Sequence, residues 1–441
     1  MNVYPTLTDP ALPRWHFGPP ACWMNDPNGA CWHDGWWHVF YQHNPDSEEW
    51  ANMHWGHARS RDLVHWEHLP IALYPQHAAN EKHCCSGCLT FGADGLPYIL
   101  YTSSKTDPEA ALTQVLATPN DPAWRTWTQH VDTPILALPS HDGPAFGASW
   151  RDPFVFRAAG RTFLILGAEL GDEAVVPLYE NPTGDLKQWR YRGILHRAPK
   201  RETVFFECPC FLPFGDKWVL ITSPVREVEW WSGTFDPDRA EFHAERWGRV
   251  DESDHYYASH TAYGPDGSPV MFGWAQKFPK GRGWNGRLGA PRRVWLDDAG
   301  ELRSAPVAAL AALRSAETIL PAQPLPFALT LPEGAMHEGE LTLEIERGAG
   351  ARIELAGETI FLTADTVRFG ERPAVELPAP GTVRVRWLLD RSLLEVFIDE
   401  RATFTRVVPF QPATAQLKMD GSARLASGRV WTLRAAPATL A

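Results

Sequence analysis

The chemistry of this chain is concentrated in three short acidic motifs. They are Trp23-Met24-Asn25-Asp26-Pro27-Asn28-Gly29, Arg151-Asp152-Pro153 and Glu207-Cys208-Pro209. Carboxyl groups brought together can attack as nucleophiles or give and take protons. Each motif is followed by a glycine-containing turn and an apolar run, namely Trp36–Gln42, Thr162–Glu169 and Lys217–Ser223. Two further runs, Pro97–Ser103 and Ser268–Gln276, have the same form. The turn glycines Gly35, Gly95, Gly160, Gly215 and Gly267 are 60, 65, 55 and 52 residues apart. Asp26 precedes its glycine by nine residues, and Asp152 and Glu207 precede theirs by eight. Carboxylates at equivalent positions of a radial repeat converge on one axis, which is the geometry of an active site.

The elements that must hold these acids follow from the same repeat. Each unit reads as short strands between Gly, Pro and Asp turns, such as Asp94-Gly95 and Asp266-Gly267. Four-stranded units repeated around an axis make a β-propeller. Five units predict five blades, with the first residues of each inner strand lining an axial pocket. Near residue 300 the texture changes. Pro306–Leu313 is rich in Ala and Leu, and beyond Pro321 the chain alternates as half-buried strands do, as in Leu341–Glu346, Val383–Trp387 and Leu394–Ile398. The expected organisation is all-β: a five-bladed β-propeller over 1–303, a linker with a short helix over 304–320, and a β-sandwich over 321–441.

Composition narrows the function classes. A formal charge of −12 offers no electrostatic footprint for nucleic acid or an anionic membrane. No apolar stretch approaches the roughly 20 residues of a membrane-spanning helix. The segment Met1-Asn2-Val3-Tyr4-Pro5 lacks the pattern of a signal peptide, so the expected location of a complete product is the cytoplasm. Seven cysteines, an odd number, all before residue 211, fit reduced thiols. Most of the 21 tryptophans are expected to pack blades together, with a few at the axis available to a ligand.

Several motifs in fixed order now support a family resemblance. Trp15-His16-Phe17, Trp23–Gly29, Phe40-Tyr41-Gln42-His43-Asn44-Pro45, Asn52–Ala58 and Asp62-Leu63-Val64-His65-Trp66 resemble the opening of glycoside hydrolase family 32. These are the invertases, inulinases, levanases and related fructan enzymes. Arg151-Asp152-Pro153 and Glu207-Cys208-Pro209 match the family's other signatures in order and separation. The resemblance runs to Pro291-Arg292 and resumes at Leu394–Ile398. It implies a propeller followed by a sandwich, and transfer of a β-D-fructofuranosyl unit with retention of configuration. By motif position it implies Asp26 as nucleophile, Glu207 as acid/base, and Asp152 as a transition-state stabiliser that holds fructose hydroxyls. Gln42, Trp50, Ser86 and Trp274 occupy positions similar to the family's fructose-binding shell, and Asn25 and Arg151 complete the substrate-binding set.

The chemistry fits these residue types. A retaining glycosidase uses one carboxylate to attack the anomeric carbon and a second carboxyl group to protonate the leaving oxygen. Asp26 must be ionised, with Asn25 and Asn28 as neighbouring donors. Glu207 must start protonated, in the company of Phe205, Phe206 and Cys208. Arg151 would orient the carboxylates and offset their charge. No metal or organic cofactor is required. Taken singly, Asp26-Pro27 is an ordinary turn former and Arg151-Asp152 an ordinary ion pair. Their phase in the repeat and their order outweigh those readings.

Two other motifs mimic known sites. Gly281-Arg282-Gly283-Trp284-Asn285-Gly286 satisfies the dinucleotide fingerprint, but Gly289 and Pro291 follow where a helix is needed. His83-Cys84-Cys85 with Cys88 has zinc-ligand types, yet Cys85-Ser86-Gly87-Cys88 falls on a sugar-contacting strand of the family, which favours buried thiols. Cys85, Cys88, Cys210 and His260 depart from the family's usual residues and alter the pocket's shape and polarity. The leading expectation is hydrolysis of sucrose and short fructo-oligosaccharides, with a small-molecule fructoside as the partner. A sucrose-6-phosphate hydrolase is the nearest rival and would draw on Lys277, Lys280, Arg282 and Arg287. A fructosyltransferase and a non-catalytic fructoside-binding protein are further readings. The sandwich is expected to brace the propeller or to contribute to a homo-oligomer.

Overall fold

Short alternating runs between tight turns leave the chain few options but strands. The computed structural model describes residues 7–107, 110–331, 336–377, 381–410 and 416–440. Five sheets of the first 306 residues are the blades of a propeller, and two further sheets form a sandwich. The inner strands are Cys22–His33, Glu81–Phe91, Trp150–Ala158, Glu207–Phe214 and Tyr256–Tyr263. Each packs against the next, and the fifth packs against the first, so the ring closes. The five apolar runs of the sequence are the second strands, Trp36–Asn44, Pro97–Lys105, Arg161–Leu170, Lys217–Ser223 and Pro269–Ala275.

Large aromatics fill the gaps between blades. Phe156 of the third blade meets Phe211, Trp218 and Phe235 of the fourth edge to face, with ring centroids 5.0–5.6 Å apart. Such pairs add about 0.5–1.5 kcal/mol each beyond the area they bury. The first blade is extended at both edges. Trp284–Asn285 runs parallel to Cys22-Trp23, and Thr439–Leu440 runs parallel to Glu67-His68.

The expected linker is shorter than 304–320. Leu302–Pro306 is the last strand of the fifth blade, and Ala308–Leu313 is a 3-10 helix anchored by buried Leu310 and Leu313. Arg314–Leu320 already pairs with Arg424–Leu433 in a seven-stranded sandwich sheet, and Leu320 at its end is buried in the core. The second sandwich sheet has six strands. Leu343, Val383, Val385 and Val396 join Ile353, Ile360, Leu362 and Met419 in the sandwich core.

Buried charge pins the sandwich to the propeller. Asp390 accepts from the backbone amides of Arg14, Trp15 and His16 and from His16 Nδ1, all at 2.8–3.0 Å. Glu395, in the Leu394–Ile398 motif, accepts from His16 Nε2, Ala290 N and Arg292 Nη2, each at 2.9 Å. Burial opposes ionisation of Glu395, but the bonds from His16 and the Arg292 charge win, holding its carboxyl at about 2. Among the described residues, no helix is long and apolar enough to cross a membrane.

Candidate active site

All five inner strands carry a β-bulge at one level of the axis. The register skips between Met24 and Pro27, Cys84 and Gly87, Arg151 and Phe154, Glu207 and Cys210, and Tyr257 and His260. At each skip two residues oppose one on the partner strand, which bends the strand and re-aims its side chains. In the last three blades the first bulged residue is left-handed: Asp152 has φ +68°, Cys208 +47° and Ala258 +48°. A non-glycine residue there costs about 1–3 kcal/mol, a strain that clusters at functional sites.

These bulges correct the equal phase expected of the acids. Glu207 stands just before its bulge, in register with Arg151 and Tyr257, whereas Asp152 is a first bulged residue, in register with Cys208. Asp26 is a second bulged residue, in register with Ser86. Counting back from the turn hides the offset because the glycine is second in the Ala159-Gly160 turn but first in Gly215-Asp216. The acids nevertheless converge, since residues at each level bond to neighbours at the same level. Arg151 Nη2 donates to Glu207 Oε1 at 2.6 Å, and Tyr257 Oη lies 2.5 Å from Glu207 Oε2. The Cys208 amide donates to Asp152 Oδ2 at 3.0 Å. Ser86 Oγ donates to Asp26 Oδ2 at 2.6 Å. Cys208 Sγ ties the levels together, 3.4 Å from Asp26 Oδ2 and 3.8 Å from Asp152 Oδ2.

Electrostatics follow from this crowding. Burial pushes the Asp26 carboxyl up, Ser86 opposes it, and the Glu207 charge adds to the rise. Asn25 Nδ2 donates to Asp26 Oδ1 at 3.0 Å and is itself held by Trp23 Nε1 at 2.7 Å. Asn28 does not bond to Asp26 as expected; its Oδ1 accepts from Gly87 N at 3.2 Å. Asp152 is raised to about 7 by burial and by its acidic neighbours, against the Arg151 charge. The Arg151 guanidinium stacks over Phe205, 4.2 Å from the ring centroid, so an apolar wall backs the ion pair. Three carboxyl groups, one cation and a phenol thus share one small volume.

Residues 16–306, which span all five inner strands, match the profile described as the glycosyl hydrolases family 32 N-terminal domain. The chain belongs to glycoside hydrolase family 32. It is therefore a glycoside hydrolase. It is 28% identical to a sucrose-6-phosphate hydrolase of Escherichia coli, over 96% of this chain and 94% of that protein. It is 33% identical to a cell-wall β-fructofuranosidase of Zea mays, over 68% of this chain and 56% of that protein. A solved family 32 β-fructofuranosidase of Bombyx mori superposes with a TM-score of 0.84 at 26% identity, covering 98% and 96% of the two chains. A variant of the same protein has been solved in complex with sucrose.

The remaining family 32 positions fall into two groups. Ser86, Asn25, Arg151 and Trp274 adjoin the acids. Trp274 is buried, faces Trp23 edge-on at 5.6 Å, pairs with Tyr257 across the sheet, and leaves its Nε1 unpartnered. Gln42 is buried opposite the first bulge and donates to Cys84 O at 2.7 Å. Trp50 is 52% exposed beside His83, which makes it a rim residue and not a core one. Cys88 and Cys210 are buried, with thiols pushed up to about 12 by burial, and Cys210 lies 4.0 Å from His260 Nδ1. His260 lines a small void beneath the acids with Asn28, Ser86 and Asp152, and burial lowers it to about 4. Of the four departures only Cys85 is partly exposed.

Lys277 pairs with Asp254, Lys280 with Glu49 at 2.9 Å and Arg282 with Asp9 at 3.5 Å, while Arg287 is buried away from the acids. The glycine loop at 281–286 does hold an anion, but it is the protein's own. The amides of Gly281, Arg282 and Gly283 converge on the Glu48 carboxylate, and the loop leads into a strand. Among the described residues no group of three His, Cys, Asp or Glu is placed to hold a metal. The functional residue that sequence reasoning missed is Tyr257. The fifth blade supplies no acid at that level, and Tyr257 sits ten residues before its turn glycine, where only the bulge register reveals it.

Proposed function

We propose that this family 32 enzyme is a retaining β-fructofuranosidase acting on sucrose and short fructo-oligosaccharides. Asp26 attacks the anomeric carbon of the fructosyl unit and forms a covalent fructosyl-enzyme. Glu207 protonates the leaving oxygen, then takes a proton from the water that releases fructose. Asp152 binds fructose hydroxyls and stabilises the positive charge that develops in the transition state. The supporting observation is the placing of Asp26, Asp152 and Glu207 around one thiol and one arginine, each with its own set of donors. Asn25 and Ser86 aim Asp26, Arg151 aims Glu207, and Trp274 and Trp50 supply apolar faces, with Gln42 among the polar groups.

A sucrose-6-phosphate hydrolase is the second reading, favoured by the near full-length match to relatives of that name. Against it, three of the four basic residues proposed for the phosphate are paired with carboxylates and the fourth lines a different cavity. The test is product analysis of the purified protein with sucrose, sucrose-6-phosphate, kestose, inulin and levan. Equal release of fructose and glucose from sucrose supports the first reading. A preference of more than tenfold in kcat/KM for the 6-phosphate supports the second, and silence on all five refutes both.

A further inference from the structure

Among the described residues two arginines are buried, and they live in opposite circumstances. Arg292 is fully buried, and its Nη2 bonds to Asp251 and Glu395 at 2.9 Å each. Arg287 is also buried, at 4% exposure, yet among the described residues no carboxylate lies within ion-pair distance of it. Its Nη1 donates to Pro19 O at 3.2 Å, the guanidinium lies 4.9 Å from the Trp284 ring centroid, and Nε has no hydrogen-bond partner. A buried charge without a counter-charge costs several kcal/mol as an order of magnitude. Burial accordingly lowers Arg287 to about 10.

Arg287 lines a cavity of about 180 Å³ between the N-terminal segment, the first blade and residues 436–438. None of the three catalytic acids lines it. Arg14 adds a second cation, and Leu12, Phe17 and Trp66 add an apolar wall. The chain makes room for the guanidinium at Gly18, where a Cβ would fall 1.7 Å from Arg287 Nη1. Asp390 is the carboxylate whose field reaches Arg287, but its oxygens are engaged by three backbone amides and His16.

We propose that this cavity binds a small oxyanion, with its charge against Arg287 and Arg14 and its body against Phe17, Trp66 and Leu12. Phosphate and carboxylate groups share the chemistry that a guanidinium recognises in paired hydrogen bonds. The volume holds about six waters at roughly 30 Å³ each, which sets the size of the ligand. The site is independent of the sugar chemistry proposed above.

The test is thermal unfolding and calorimetric titration of the full chain with inorganic phosphate or with butyrate, against sodium chloride of matched ionic strength. Saturable stabilisation by at least one probe is expected, with the folded-to-unfolded ratio rising about elevenfold at ten times Kd. Phosphate acting alone identifies a free inorganic ion as the ligand type, and tighter butyrate binding identifies an organic anion. Arg287→Met should abolish the effect. If that variant does not fold, Ala438→Trp, which fills the cavity and keeps the charge, should abolish it instead. Asp26→Ala should leave it unchanged. Stabilisation no greater than with chloride, its persistence in Arg287→Met or in Ala438→Trp, or its loss in Asp26→Ala would overturn the proposal.

Discussion

The hydroxyl of Tyr257 offers a quantitative test of the acid/base assignment. Its oxygen lies 2.5 Å from Glu207 Oε2 and 2.8 Å from Ser223 O, and it accepts from Val225 N at 3.0 Å. A phenol has one proton and cannot donate to both oxygens. Its shorter contact is the one to Glu207 Oε2, which holds that carboxyl in place while Oε1 accepts from Arg151. Tyr257→Phe removes this partner from the acid. A hydrogen bond of this kind to an ionisable group contributes about 1.5–3 kcal/mol. At about 1.36 kcal/mol per factor of ten, kcat/KM for sucrose should fall roughly 10- to 150-fold. The assay compares sucrose with a β-fructofuranoside bearing an activated aryl leaving group, which needs little protonation. The aryl substrate should lose at least tenfold less, because kcat/KM reports the step in which the leaving group departs. Activity on sucrose within twofold of wild type, or equal losses on both substrates, would refute the reasoning.

Three further outcomes are expected. On the proposed mechanism Asp26→Ala lacks the attacking carboxylate, so kcat should fall by about 10³-fold or more while circular dichroism stays native; turnover within tenfold of wild type would remove Asp26 from its role. Asp152 is raised to about 7 from 3.8, so the folded state holds its proton more tightly and stability from this group is lost as pH rises from about 4 to 7. Asp152→Asn should therefore be about 1–3 kcal/mol more stable at pH 8 by urea unfolding while turnover falls, and equal or lower stability would contradict the strain. Glu395→Gln breaks a buried pair and should cost about 3–5 kcal/mol. Glu395 is held at about 2, so its contribution is present above about 4.5 and lost as pH falls towards 2; the gap between variant and wild type should narrow in that window, and a gap constant with pH would rule out the charge as its cause.

The fold was legible in sequence because turns and alternation are local. All five turn glycines sit at positive φ in hairpins that close first and second strands. The acids were legible through their motifs, but their relative heights were not. The glycine is second in one turn and first in the other, so Asp152 and Glu207 share a count from their glycines and differ by one level. Tyr257 was hidden for the same reason. The pairing of the basic residues near 280 was not legible, because a charge pattern cannot say where its counter-charges lie: Asp254, Glu49 and Asp9 come from other segments. Glu395 was visible only as part of a strand, since its partners His16 and Arg292 are 379 and 103 residues away.

The first blade also sets an order of events during synthesis. Its four core strands are complete by Leu73, yet its edges wait for Trp284–Asn285 and then for Thr439–Leu440. At about 5–20 residues per second, the ribosome needs roughly 20–70 s to deliver that last strand. Until then Glu67 and His68 present open backbone groups at a sheet edge, the kind of surface on which nascent chains pair with one another. The first blade is finished after the sandwich strands. Aggregation during expression should therefore respond more to changes in residues 436–440 than their distance from the three acids implies.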